Sequence, residues 1–170
     1  MFKYGGMFLT SFLIGSIARA FMLRIDYRQF PSFPHSYAIH LTMAMIAAAL
    51  GALAFPVLLE EEYIAITFLT IAAQHFRDVR NLERKSLEKL DQSELIPKGT
   101  AYIEGIAKLF EARNYLALIT SLTTSIIYYY TTWYIAVIGG GIIAFALHYF
   151  MKGVTIKDIA KVEIVPLTFD

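Results

Sequence analysis

Apolar residues are gathered into long runs along this chain, and short charged connections separate the runs. The runs cover about residues 4–23, 38–59 and 63–74, followed by a block at 115–150. A helix needs about 20 apolar residues to cross the hydrocarbon of a bilayer, so the last block is long enough for two helices. Aromatic residues crowd its middle at 128–134, and such rings favour the membrane–water interface. The pattern therefore predicts five spans with a tight turn between the last two.

A polar segment, residues 76–114, separates the third run from the fourth. Over 76–90, apolar residues recur every three to five positions, which predicts that the third helix continues beyond the membrane as an amphipathic helix. The members of this stripe are Phe76, Val79, Leu82, Leu87 and Leu90. Arg84 and Glu88 supply an i,i+4 ion pair on its polar side. Asp91–Glu94 should end this helix, and Ile96–Gly99 should form a turn.

A second amphipathic helix should begin near Thr100, which we expect to act as its cap. Ile103, Ile106, Ala107 and Phe110 form an apolar stripe, and Glu104, Lys108 and Glu111 share another face. This stripe is predicted to lie on the bilayer surface or to pack against the preceding helix. Gly105 costs roughly 1 kcal/mol in a helix interior relative to Ala, so it is expected to mark a close approach by another backbone or a ligand.

Basic residues alternate between the connections, as they do when short loops are sorted by charge across a membrane. The first connection contains Arg24 and Arg28, the second contains only Glu60–Glu62, and 76–114 contains eight Lys and Arg residues. With the aromatic turn outside, a basic tail returns to the cytoplasm. The prediction is a multi-pass protein of the cell membrane with its N-terminus outside and its C-terminus in the cytoplasm. The alternative at the N-terminus is a cleaved signal peptide ending near Ala18–Ala20.

Composition supports a membrane protein. The chain of 170 residues is 57% hydrophobic and 17% charged, with a net charge of +1 and a mean hydropathy of +0.54. Soluble domains carry more charge and fewer apolar residues. The near-zero net charge argues against a nucleic-acid partner, and the absence of Cys excludes thiol nucleophiles and thiolate metal sites. The motifs of known metal and cofactor sites are also missing, so we expect neither a metal nor a cofactor.

Several residues inside the runs have two interpretations. Small residues recur every four positions in three runs, at Ser11 and Gly15, at Ala44, Ala48 and Ala52, and at Gly140 and Ala144. These faces predict packing within one bundle or the seam of a homo-oligomer. Arg19 either snorkels to the interface or pairs with an acid or carbonyl from 76–114. His40 and His148 lie near span ends, where interfacial anchoring is favoured over a proton relay.

The segment Tyr102–Tyr115, called here the signature segment, reads Tyr-Ile-Glu-Gly-Ile-Ala-Lys-Leu-Phe-Glu-Ala-Arg-Asn-Tyr. It resembles the motif that gives the YIEGIA family its name. Residues 26–29, 74–81 and 97–99 also resemble that family, so the likeness extends over most of the chain. The resemblance implies a multi-pass membrane protein of endospore-forming Firmicutes that acts in sporulation. Members of the family are longer and continue into a soluble C-terminal portion.

The predicted fold is therefore an all-α membrane protein of about five transmembrane helices with a cytoplasmic amphipathic segment and a short soluble tail. Residues 1–153 form the bundle. The tail, 154–170, suggests a short helix and one strand, and an isolated strand has no pairing partner. We accordingly expect the chain to be a fragment or a shortened relative, with 154–170 as the start of a further soluble domain.

The favoured function is an inner-membrane scaffold or regulator that binds a partner protein through its cytoplasmic face. The first connection contains Pro31 and Pro34, so it is expected to be extended and ordered, with its charges docked on 76–114 or on lipid headgroups. The candidate partner-binding residues are Asp26, Arg28, Arg77, Asp78, Arg80, Tyr102, Glu104, Gly105, Glu111, Arg113 and Asn114.

Two other function classes stay open. A membrane-embedded hydrolase or protease could use carboxylates at the membrane surface as an acid–base pair, although no nucleophile or metal set is visible. Those carboxylates are Asp26, Asp78, Glu104 and Glu111. A small-solute transporter usually has a broken helix at mid-membrane, and Gly139–Gly141 is the candidate break.

Overall fold

The structure is a computed structural model that describes residues 4–29, 36–60, 64–93 and 99–150. These residues form five α-helices: α1, Gly5–Gln29; α2, Ser36–Leu59; α3, Ile64–Asp91; α4, Thr100–Tyr130; and α5, Trp133–Phe150. The described part of the chain is thus all-α, as the hydrophobic pattern predicts. The third run and the amphipathic segment after it form one continuous helix, α3. The aromatic turn also lies where it was predicted, between α4 and α5.

Helix α4 is the centre of the bundle and contacts each of the other four helices. Its 31 residues span roughly 46 Å at a rise of 1.5 Å per residue. Four hydroxyl residues on its second half are fully buried: Thr120, Ser121, Thr124 and Ser125. Such short side chains let neighbouring backbones approach closely. The Thr124 hydroxyl donates to the Thr120 carbonyl at 2.7 Å, and the Ser125 hydroxyl donates across to the Ala52 carbonyl of α2 at 3.3 Å.

Glycines of three helices press against this hydroxyl-rich face of α4. A Cβ added at Gly15 would collide with the Ser121 hydroxyl, one at Gly51 with the Leu118 carbonyl, and one at Gly140 with the Thr124 hydroxyl. Ala44, Ala48 and Ala52 are fully buried in the same core. The small-residue faces of α1, α2 and α5 therefore pack within one bundle.

Helices α3 and α4 lie antiparallel along two apolar layers. In the first, Phe76 packs with Ala47, Ala48 and Ala117, and its ring stacks on that of Tyr115 at a centroid distance of 4.0 Å. In the second, Leu87 packs with Ile103, Ile106 and Phe110. The second layer shows that the apolar stripe of the signature segment lies against the preceding helix, which was one of the two predicted placements.

Three details of the helix predictions are wrong. Helix α1 continues to Gln29, so the connection does not begin at Arg24. Helix α5 runs unbroken through Gly139–Gly141, because glycine lowers helix propensity without removing a backbone donor. Thr100 is the first residue of α4 and not its cap: the preceding Gly99 has a φ of 90°, and its N–H donates to Asp91 Oδ2 at 3.2 Å. Pro31, Pro34 and the tail at 154–170 lie outside the described residues.

Three of the described helices are long and apolar enough to cross a membrane: α1 over Gly5–Leu23, α2 over Tyr37–Leu59 and α5 over Trp133–Phe150. The sequence of α3 becomes charged from Arg77 onwards. In α4, the hydroxyl and tyrosine residues of the second half lower the mean hydropathy of that segment. The number of spans beyond these three therefore depends on how α3 and α4 sit in the bundle.

We expect Gly51→Ala to destabilise the bundle by about 1–3 kcal/mol, because its Cβ would meet backbone, which cannot rotate away. The matched control is Gly141→Ala on α5, since no described atom lies within 4 Å of a Cβ added there. Unfolding of both variants by a denaturing detergent would measure the difference. Equal stability of Gly51→Ala and Gly141→Ala would contradict the close contact between α2 and α4.

Candidate functional site

Five polar residues from four helices meet inside the bundle, and we call them the Arg19 cluster. Its members are Arg19 of α1, His40 of α2, Glu83 of α3, and Arg113 and Asn114 of α4. Each is more than nine-tenths buried, and Arg19 is completely so. Buried charges of this kind need polar partners, because an isolated ion costs several kcal/mol to remove from water. The cluster is therefore the main polar constraint on how the four helices fit together.

Two short contacts define the geometry of the cluster. Arg19 Nε donates to Asn114 Oδ1 at 3.3 Å, which joins α1 to α4. His40 Nε2 lies 3.1 Å from Glu83 Oε2, which joins α2 to α3. The imidazole of His40 also stacks on the Phe110 ring, with 4.6 Å between centroids. The Phe110 ring and the contact with Glu83 together fix the orientation of His40.

Burial and the Arg19 guanidinium shape the electrostatics of this cluster. Burial raises the pKa of Glu83 to about 7, although the positive charge of Arg19 acts in the opposite direction. Burial also lowers the pKa of Arg113 to about 10, and repulsion from Arg19 adds to that shift. Arg19 thus acts electrostatically on both residues, and its charge favours the ionised form of Glu83.

The sequence predicted part of this cluster. The pairing of Arg19 with a carbonyl from 76–114 is confirmed by its bond to Asn114, and snorkelling is wrong because Arg19 is fully buried. Interfacial anchoring of His40 is also wrong, since the ring is buried against Phe110. Sequence reasoning missed Glu83. The signal was available: Glu83 lies four residues after Val79 and four before Leu87 on the buried stripe, whereas Leu82 is 50% exposed.

A second set of charges, the Arg80 bracket, lies between α3 and α4. Arg80 Nη2 donates to Glu104 Oε1, and Arg80 Nη1 lies 3.7 Å from Glu111 Oε2. Lys108 Nζ also lies 3.9 Å from Glu104 Oε1. The hydrogen bond from Arg80 lowers the pKa of the Glu104 carboxyl. The bracket therefore holds two carboxylates of the signature segment against α3.

The predicted partner-binding residues do not form one surface. Arg113 and Asn114 are buried and are not part of an exposed surface. Arg80, Glu104 and Glu111 form the bracket and are partly exposed. The remaining described candidates are exposed: Arg77, Asp78, Tyr102 and Gly105. The side chains of Asp26 and Arg28 lie outside the described part of the chain.

Gly105 does not serve a close approach within the described chain. A Cβ added there would meet no described atom within 4 Å. The glycines that permit close backbone contact are Gly15 and Gly51, deep in the bundle. Gly105 instead leaves a shallow, exposed spot on α4 beside Tyr102, which is 41% exposed.

The candidate catalytic carboxylates are not gathered into one site in the described residues. Glu104 and Glu111 face Arg80, whereas Asp78 is exposed on α3 and has no ion pair in the described structure. The described ranges also contain no group of three or more His, Cys, Asp or Glu residues placed to hold a metal ion. The polar chemistry of the described helices is therefore dominated by charge pairing between helices.

We expect Arg19→Met to destabilise the protein by about 3–5 kcal/mol, because it leaves the Glu83 carboxyl buried without its neighbouring cation. Loss of Arg19 raises the pKa of Glu83 further, so the folded state prefers the protonated acid. A group with a raised pKa in the folded state loses stability as pH rises from its unfolded value to its folded one. In wild type this loss ends near pH 7, whereas without Arg19 it continues to higher pH, so the cost should be larger at pH 8 than at pH 6.

The control is the double variant Arg19→Met with Glu83→Leu, which removes both charges and should recover part of the lost stability. Unfolding curves of wild type, both single variants and the double variant give the coupling energy. Additive effects in this cycle would show that Arg19 and Glu83 do not interact.

Comparison with known proteins places the chain in a family. Residues 7–170 match the family described as YIEGIA protein. An uncharacterized protein from Bacillus subtilis (strain 168), YphB, is 44% identical over 162 residues, which cover 95% of this chain and 54% of that protein. The chain thus spans about half the length of this relative. No solved structure matches it significantly. From these matches and the signature segment, the chain belongs to the YIEGIA family.

Proposed function

We propose that this chain is a five-span scaffold or regulator of the cell membrane that binds a partner protein through the cytoplasmic ends of α3 and α4. The observation that carries the proposal is the projection of these two helices, packed on each other and fixed by the Arg80 bracket, beyond the apolar part of the bundle. A role in sporulation is supported by family membership and by a relative from Bacillus subtilis.

The five-span placement is supported by the positions along the bundle axis at which the helices contact one another. Arg19 reaches Asn114, a Cβ at Gly15 would lie 3.2 Å from the Ala48 Cβ, and one at Gly140 would lie 3.0 Å from Ile14 Cγ2. Phe76 meets Ala47 and Ala117. Five segments consequently lie side by side between the level of Asn114 and the turn that joins α4 to α5. They are residues 5–20, 44–59, 64–78, 114–130 and 133–150, approximately.

These segments are 15 to 18 residues long, or roughly 24 Å at 1.5 Å per residue. This is shorter than the hydrocarbon core of about 30 Å, a mismatch that local bilayer thinning and side-chain snorkelling absorb at modest cost. Large apolar side chains are exposed on the outside of all five: Leu9, Leu13, Ile17, Leu53, Leu58, Ile71, Ile119, Ile138, Ile142 and Phe145. An apolar belt of this extent would be costly in water and is favourable in lipid.

In this placement, α4 enters the bilayer with four of its hydroxyl residues inside the bundle. The side chains of Thr120, Ser121, Thr124 and Ser125 are buried against α1, α2 and α5, and therefore do not face lipid. The charged residues of α3 begin at Arg77, level with Asn114, at the inner end of the apolar belt. The N-terminus is then outside and α3 ends in the cytoplasm, in agreement with the distribution of basic residues.

Single cysteines provide a clean test of this topology, because the chain has no native Cys. Glu60→Cys and Thr131→Cys should react with an impermeant maleimide in intact cells, whereas Gln92→Cys should react only after the membrane is opened. All three positions are exposed. If α1, α2 and α5 were the only spans, Gln92→Cys would lie outside and would react together with Glu60→Cys.

The partner surface we propose is the exposed patch around Tyr102 and Gly105 on the first half of α4. An exposed tyrosine beside a glycine offers a ring and open backbone to an incoming chain, and aromatic residues are enriched at protein interfaces. The patch lies next to the residues of α4 that pack on α3, since Ile103 and Ile106 are buried with Leu87 whereas Tyr102 and Gly105 are exposed. In the proposed placement, the packed ends of α3 and α4, residues 79–91 and 100–113, are called the hairpin and hold this patch outside the membrane.

We expect Tyr102→Ser and Gly105→Gln to reduce cross-linked partner capture from sporulating cells at least several-fold, without lowering the amount of protein in the membrane. Gln92→Ala, at an exposed position in the α3–α4 connection, is the matched control. Glu104→Lys also breaks the Arg80 bracket, and Arg113→Glu puts a carboxylate in the bundle, so both report on folding. Unchanged capture by both patch variants would remove this surface from the proposal.

A further inference from the structure

We propose that the exposed basic stripe of α3, formed by Arg77, Arg84 and Lys85, binds the headgroups of anionic phospholipids in the inner leaflet. The proposal rests on the five-span placement and assigns a function to a surface that the protein-partner patch does not use. The three residues share one helical face, since they occupy positions i, i+7 and i+8. All three are exposed.

The level of Arg77 is the first argument. Phe76 packs against Ala47 and Ala117 and stacks on Tyr115, so the next residue of α3 leaves the apolar belt near the level of Asn114. Helix α5 ends at a similar level, at Phe150. An exposed guanidinium at the edge of hydrocarbon requires polar partners, and lipid phosphates are concentrated there.

The charge balance of the stripe is the second argument. Within the described residues, Arg77 and Lys85 have no ion pair, and Arg84 has only the weak, solvent-exposed pair with Glu88 at 3.4 Å. Asp78 is the one unpaired acid near them. By contrast, Arg80 points toward α4 and is bound by Glu104 and Glu111. Arg84 also contributes to the lowered pKa of Glu104, but it forms no ion pair with that carboxylate in the described structure. The exposed face of α3 thus keeps a net positive charge.

The spacing of the stripe along α3 is the third argument. Arg84 and Lys85 lie seven and eight residues beyond Arg77, which corresponds to about 10–12 Å along the helix axis. The headgroup region is roughly 5–7 Å deep on each side of the bilayer, and charges act over a Debye length of about 8 Å at physiological salt. All three cations therefore lie within electrostatic reach of the headgroups. Leu82, which lies between them in sequence, is 50% exposed and adds an apolar side chain to this stretch of α3. A lipid headgroup therefore fits this stripe better than a protein partner.

The test compares the full chain in nanodiscs of phosphatidylcholine with and without phosphatidylglycerol. Phosphatidylglycerol should raise the melting temperature of wild type by roughly 5 °C or more at low salt. The triple variant Arg77→Gln, Arg84→Gln, Lys85→Gln should lose most of that rise and should retain less phosphatidylglycerol by native mass spectrometry. Lys89→Gln, an exposed base farther from the membrane on the same helix, should behave like wild type.

Three results would overturn the proposal: an unchanged phosphatidylglycerol effect in the triple variant, an equal loss in Lys89→Gln, or the same stabilisation of wild type by inorganic phosphate. Failure of the five-span placement is detected separately, by labelling of Gln92→Cys from outside. Loss of the protein partner without loss of lipid retention would likewise affect only the proposed function.

Discussion

The burial of Arg19 is the constraint on which the packing of α1 to α4 around it depends. A fully buried guanidinium needs hydrogen-bond acceptors and negative charge, and here α3 and α4 provide both. Asn114 contributes a carbonyl oxygen, and Glu83 contributes a carboxyl whose ionised form Arg19 favours. Because these groups come from different helices, the charge can be accommodated in only a few arrangements of the bundle. Small residues such as Gly15 and Gly51 then allow the backbones of α1 and α2 to pack closely on α4.

The signature segment has a structural role that its charges alone do not suggest. Its apolar residues pack on Leu87, its two carboxylates bind Arg80, and its last polar residues, Arg113 and Asn114, enter the Arg19 cluster. Its exposed residues include Tyr102 and Gly105, which form the partner surface proposed above. Most of the motif therefore serves contacts between helices, and the proposed surface is a small part of it.

The fold was more predictable from the sequence than the site. Hydrophobic runs and periodicity located all five described helices, since burial in lipid or in a core requires long apolar stretches. Which charged residues are exposed was harder to predict, because the sequence does not distinguish a charge that faces water from one that faces a buried counter-charge. Arg113 was assigned to a surface for this reason, and Glu83 was overlooked although it stands on the buried stripe of α3. Leu82 was instead counted in the predicted apolar stripe because leucine is the more hydrophobic residue, although its side chain is 50% exposed.

The Arg80 bracket and the Arg19 cluster lie on adjacent faces of α3, and this arrangement couples the contact of α3 with α4 to its contact with α2. Arg80 and Glu83 are three residues apart, so they project from nearly the same turn toward different neighbours, α4 and α2. Any rotation of α3 that loosens the bracket must also displace Glu83 from His40. In a close-packed bundle such rotation cannot be absorbed gradually, because Phe76 and Leu87 of α3 are buried in its two apolar layers. A partner that holds the hairpin would therefore also stabilise the helix arrangement inside the membrane.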